Sequence, residues 1–127
     1  MSFPREIEVS AVKEKINSLR TIEVILPHPS DVIDYVENHL DLVDVLYPIA
    51  EELSQSFGPE AELSLELYSD PEFDDRYLTF YVRQNEYGDV LDKIDLVQQK
   101  FSPELEKKSG YLLITTDFRP PRNGNGF

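Results

Sequence analysis

Residues 61–84 read AELSLELYSDPEFDDRYLTFYVRQ, and the two-residue alternation in this stretch decides the fold class. Ala61, Leu63, Leu65 and Leu67 fall on one side of an extended chain, while Glu62, Ser64, Glu66 and Tyr68 fall on the other. In the return segment Leu78, Phe80 and Val82 share a face, and Tyr77, Thr79, Tyr81 and Arg83 share the opposite one. Such β-branched and aromatic residues suit a pleated surface with one side in the core. Between the two strands, residues 69–75 (SDPEFDD) carry Pro71, which fixes φ for a turn, and aspartates that can bond their own backbone. The segment therefore predicts a hairpin with strands at 61–68 and 76–84 and a solvated, acidic turn.

The elements around the hairpin follow from helical spacing and breakers. Val9, Val12, Ile16 and Leu19 step by three and four, which predicts an amphipathic helix over residues 6–19. TIEVIL at 21–26 is rich in β-branched residues and stops at Pro27, a short strand. Ser30 can cap a helix running to about Leu40, and Asp41 with Asp44 can open another, whose apolar stripe is Leu42, Val45, Leu46, Ile49, Leu53 and Phe57. Pro48 predicts a break near Tyr47, and Gly58 a left-handed cap. Val90, Leu91, Ile94, Val97 and Phe101 give a helix over 89–101, and Ser102-Pro103 starts a further short helical turn. YLLITTDF at 111–118 is the last strand, and RPPRNGNGF has little to bury.

Read in order, these elements spell β-α-β-β-α-β. That predicts an α+β two-layer sandwich in which an antiparallel sheet of three or four strands is backed by helices, with ferredoxin-like order favoured. Residues 1–20 form an N-terminal amphipathic helix or arm, 21–118 a single α+β domain, and 119–127 a flexible tail. The fold names no activity, because this architecture hosts enzymes, carriers, regulators and RNA binders alike.

Composition excludes several function classes. The 127 residues hold 12 Lys+Arg against 25 Asp+Glu, a net charge of −13, which repels a phosphate backbone and makes nucleic acid a poor partner. The same field favours a basic protein surface or divalent cations. Zero cysteines excludes disulfides, thiolate chemistry and cysteine-based metal sites. No apolar run approaches the roughly 18 residues of a membrane span, and MSFPREIEVS is charged where an export signal would be apolar, so the expectation is a cytoplasmic chain with no membrane partner.

Candidate chemistry is sparse. The turn gathers Asp70, Glu72, Asp74 and Asp75, oxygen ligands for calcium or magnesium, but an EF-hand counted from Asp70 would need Gly at the position of Asp75 and Glu at that of Tyr81. On a solvated turn these carboxylates lack a pocket for acid–base work. A small metal-dependent hydrolase or transferase using them is one alternative, and a small-ligand-binding regulatory domain another. His28 and His39 do not form a metal-ligand pair; His28 reads as a turn between prolines and His39 as a helix-end residue. Glycines occur singly, so there is no phosphate cradle, and no cofactor is expected.

The non-core face of the sheet is the richest constellation. Tyr68, Tyr77 and Tyr81, joined by Tyr111 or Leu113, can line up across strands with Arg83 and Glu66. RNA-binding sheets pair such rings with basic residues, whereas these surroundings are acidic, so protein contact is the better expectation. Tyrosine buries a large area with few rotamers and keeps a polar tip. The cover is a protein partner, a homodimer mate, or the N-terminal helix folded over the rings within one chain.

The run LSLELYSDPEFDDRYLTFYVRQ, continuing to YGDVLDKID and SGYLLITTDFRPP, resembles a group of small acidic bacterial proteins with an LSLELYxDPExDDxYLxxYVRQ-type core. The likeness spans roughly residues 28–121 and brings no established activity or functional residue. It implies members that act with a genetically linked partner. The leading expectation is a non-enzymatic protein-interaction module, the acidic half of a two-protein module.

Overall fold

The computed structural model describes residues 4–73, 75–85 and 88–121, with side chains described from residue 11 onward. The hairpin lies at its centre. β2 (Glu62–Asp70) and β3 (Asp75–Arg83) pair antiparallel from Glu62↔Arg83 to Asp70↔Asp75, so the alternation read from the sequence becomes two chemically distinct faces. Leu63, Leu65, Leu78, Phe80 and Val82 are buried in one continuous core. Each such side chain contributes about 1.5–3 kcal/mol on leaving water.

The element order is α1 (Pro4–Ser18), β1 (Val24–Ile25), α2 (Pro29–Glu37), α3 (Val43–Phe57), β2, β3, α4 (Val90–Leu105) and β4 (Leu112–Thr115). The fold is α+β with a four-stranded sheet. The expected antiparallel, ferredoxin-like pairing is corrected: the sheet is mixed, in the order β1-β2-β3-β4, with β1 parallel to β2 and β4 parallel to β3. In a split β-α-β unit another strand separates the parallel pair, whereas here each crossover returns its strand directly beside its predecessor. Element order alone does not distinguish the two arrangements.

Helices cover the leucine face. α2 packs on β2 and β3, α3 on β2, and α4 on β4 and α3. α1 rests on α2 and α3, where Val12 and Ile16 enter the same core, so its described side chains join the helical layer and do not cover the tyrosines. Val9 lies outside the described side chains.

Several local expectations are redrawn by packing. Residues 19–22 form a 3-10 turn closed by Glu23 at φ 65, leaving only Val24 and Ile25 of the expected 21–26 strand. α2 begins with Pro29 in the first turn, after His28 rather than Ser30, because a proline there forfeits no helical hydrogen bond. Pro48 does not break α3, and Pro103 does not break α4. Pro48 is exposed, so its ring meets solvent, and the stripe Val45, Leu46, Ile49, Ala50, Leu53 and Phe57 outweighs one lost hydrogen bond. Gly58 ends α3 at φ 79, ψ 178, an extended positive-φ conformation that glycine reaches without strain, rather than the expected left-handed cap. β4 stops at Thr115, short of the expected 118.

Asp41 does not cap a helix. Its carboxylate instead accepts the Ser109 N–H at 2.8 Å and the Ser109 hydroxyl at 3.0 Å, tying the α2–α3 connection to the loop before β4. Beside this tie, Gly110 passes so close to His39 and Leu42 that an added Cβ would lie 2.6 Å from Leu42 Cδ1. That approach explains glycine at this position.

Candidate functional site

The face of the sheet opposite the helices carries Glu62, Ser64, Glu66 and Tyr68 on β2, and Tyr77, Thr79, Tyr81 and Arg83 on β3. Strict alternation puts them there, because every second residue of each strand is claimed by the core. All five residues expected to form an interaction face (Tyr68, Tyr77, Tyr81, Arg83 and Glu66) therefore share one surface.

At one end of this surface lies an ionic cluster around Arg83. The guanidinium is 2% exposed, yet all three of its nitrogens are engaged. Nη1 donates to Glu62 Oε2 at 2.9 Å and Nη2 to Glu66 Oε2 at 3.2 Å. Nε and Nη2 grip Asp117 at 3.1 and 2.9 Å. Ser64 adds a hydroxyl to Glu66 at 2.7 Å, and Arg83 lies 5.2 Å from the centre of the Tyr81 ring. Burial opposes the charge on Arg83, but its hydrogen bonds to Asp117, Glu62 and Glu66 outweigh that and hold the guanidinium firmly protonated. Burial likewise pushes the Asp117 carboxyl up, and the Arg83 and Arg119 N–H donors more than offset that, leaving it below the usual carboxylate range.

Asp117 is a residue that the sequence reading missed, and a shaped turn aims it. Phe118 sits at φ 59, its N–H donates to Thr116 Oγ1 at 3.1 Å, and the Arg119 N–H donates to Asp117 Oδ1 at 3.1 Å. These side chain–backbone bonds fold the chain beyond β4 so that a carboxylate returns over the sheet. Glu62 was legible as a face residue but not as a partner. Once the turn is placed between Asp70 and Asp75, the register itself sets Glu62 opposite Arg83.

At the other end the rings form a row. Tyr68 and Tyr77 are cross-strand partners stacked at 4.8 Å, and Tyr111, just before β4, meets Tyr77 edge-on at 5.2 Å. Tyr68 is 39% and Tyr111 57% exposed. Burial raises the Tyr77 phenol, with Tyr68 and Asp75 adding to the effect; burial also raises that of Tyr81, with Glu66 and Asp117 adding. Between the row and the cluster, Thr79 is 1% exposed and its hydroxyl has no hydrogen-bond partner among the described residues.

The acidic turn is arranged as a turn. Asp70 accepts the Glu72 N–H at 3.0 Å, while Glu72 and Asp75 are exposed and Asp74 lies outside the described residues. Among the described residues, no three histidine or carboxylate side chains gather as a cation would require. His28 is exposed ahead of Pro29. His39 Nδ1 lies 3.1 Å from Ser109 Oγ, and that hydroxyl is also 3.0 Å from Asp41 Oδ1, to which it donates. The grouping fastens two loops. Among the described residues, no helix is long and apolar enough to cross a membrane.

No family model, curated protein or solved structure matches the chain.

Proposed function

We propose that this protein is a non-enzymatic interaction module that docks a protein partner through the open face of its sheet, acting in the cytoplasm as the acidic member of a two-protein module. The observation that carries this reading is the tyrosine row: three rings, one pair stacked and the next edge to face, across three neighbouring chain segments on the side of the sheet that the helices leave open. Rings held in this way lose little further freedom on binding and present both apolar area and hydroxyl tips. The Arg83 cluster supports the row from beside it. With its donors engaged by Glu62, Glu66 and Asp117, the guanidinium braces β2, β3 and the turn after β4 into one rigid surface and offers little to an incoming ligand.

Tyrosine nitration read by mass spectrometry tests the proposal. In the purified chain Tyr68 and Tyr111, both exposed, should react readily. In native extract, where light scattering should place the chain above its 14.7 kDa monomer mass, both rings should be protected. A strict monomer with equally reactive rings in extract contradicts the proposal.

A further inference from the structure

From the charges that border the ring row, we infer that the partner is a basic segment whose arginine side chains lie over Tyr68, Tyr77 and Tyr111 while their charges face the carboxylates of the hairpin tip. This inference rests on the docking reading above and gives its partner a chemistry.

The protein already builds this arrangement once for itself. Arg83 sits by the Tyr81 ring with Glu62, Glu66 and Asp117 around its edge, an aromatic surface and an acidic border combined on one guanidinium. The ring row repeats the same ingredients with the cation left out. Tyr68 and Tyr77 are followed along the hairpin by Asp70, Glu72 and Asp75, and among the described residues the cation–π contacts are those of Arg83 with Tyr81 and Lys93 with Phe57, neither of which involves the row. Arg76, the cation nearest in sequence, pairs in register with Ser69 and so belongs to the helix-bearing face, where it lines a cleft with Asp31 and Asp34. Arg119 is drawn toward Asp117 at 3.8 Å, at the cluster end.

Charge complementarity also decides between occupants. Two copies meeting through this face would bring together chains that each carry a net charge of −13. A nucleic acid would meet the same repulsion. A cationic peptide gains from both the rings and the border, and arginine gains more than lysine because its planar guanidinium stacks on aromatic faces and bonds carboxylates in pairs.

The test uses the full chain and a short synthetic peptide alternating Arg and Ser, with a Lys-for-Arg peptide of equal charge beside it. Binding is followed through the ring resonances of the tyrosines. The arginine peptide should shift Tyr68, Tyr77 and Tyr111, bind more tightly than the lysine peptide, and weaken as salt is added. The double variant Tyr68→Ser/Tyr111→Ser keeps every charge and should lose about tenfold in affinity, as expected for two partly exposed cation–π contacts. Asp70→Asn/Glu72→Gln/Asp75→Asn should weaken binding while leaving the rings in place. These side chains are outside the core, and coincident thermal melts verify that each variant is folded. Equal affinity for the double tyrosine variant, or shifts confined to the helical layer, would overturn the inference, since either result means diffuse attraction to an acidic chain. If the peptide leaves the row untouched while extract still protects Tyr68 and Tyr111 from nitration, the basic partner is wrong and the docking face stands. If the peptide leaves the row untouched and Tyr68 and Tyr111 nitrate as readily in extract as in the purified chain, both fall.

Discussion

The two faces of the central sheet are written by the same residues in alternation, yet they are held by different physics. On the helix-bearing face, Leu65, Leu78 and Phe80 are fully buried among apolar neighbours, and hydrophobic burial there tolerates no gap. On the opposite face, Glu62 and Arg83 are as inaccessible as the leucines, but what makes their burial tolerable is a closed set of charge-assisted hydrogen bonds. The difference teaches that period two specifies which residues share a side without specifying that the second side is wet. Here it is dry at the arginine end and open at the tyrosine end.

Substitutions should separate the two regimes. The largest loss is expected on the apolar face: Phe80→Ala should lower unfolding free energy by about 4 kcal/mol in urea titration, through lost transfer energy and a residual cavity. Arg83→Met should cost about 3 kcal/mol, because Glu62 is left as a buried carboxylate without its guanidinium while Glu66 and Asp117 can rehydrate. Adding Glu62→Leu to Arg83→Met should recover much of that loss, whereas no polar substitution rescues Phe80→Ala. A double variant no more stable than Arg83→Met alone would mean that the cluster contributes by packing rather than by charge.

The next effect depends on acidity. Asp117 titrates below its ordinary value in the folded chain, so the stability it supplies is complete above the unfolded carboxyl value of about 4 and is lost as pH falls through the lower folded value. The stability gap between wild type and Asp117→Asn should therefore be constant near neutrality and close on acidification. A gap independent of pH would remove the ion pair from the account.

The smallest effect has the opposite sign. Thr79 buries a hydroxyl that has no partner among the described residues on the polar face, and Thr79→Val replaces it with a methyl of similar shape. Chemical denaturation should show a gain of up to about 1 kcal/mol. A loss of that size would reveal that the hydroxyl is bonded in solution.

How far the fold could be read in advance follows the same division. Local periodicity set the hairpin and the shared face of Tyr68, Tyr77, Tyr81, Glu66 and Arg83, while its register came from the turn at Asp70 to Asp75. It also set the α+β class, since Val32, Val36, Leu46, Ile49, Ile94 and Val97 repeat at helical spacing. Strand order was not legible, because the choice between an adjacent and a split crossover depends on how helices seat on the sheet. Nor were Pro48 and Pro103 readable as interior helix residues, since tertiary burial outweighs their local cost. Asp117 escaped notice for a related reason: only the turn made by Thr116, Phe118 and Arg119 brings that carboxylate back onto Arg83. Asp41 looked like a helix cap and serves as a tie to Ser109, whose N–H and hydroxyl outweigh its burial and keep its carboxyl below the ordinary range.

Hydroxyl-radical footprinting of the purified chain tests the segregation of the two faces most directly, residue by residue along the hairpin. Tyr68 and Tyr111 should oxidise quickly and Leu65, Leu78 and Phe80 hardly at all, with Tyr77 between them. Rapid oxidation of Leu65 and Phe80, or silence at Tyr68 and Tyr111 in a monomer, would contradict it.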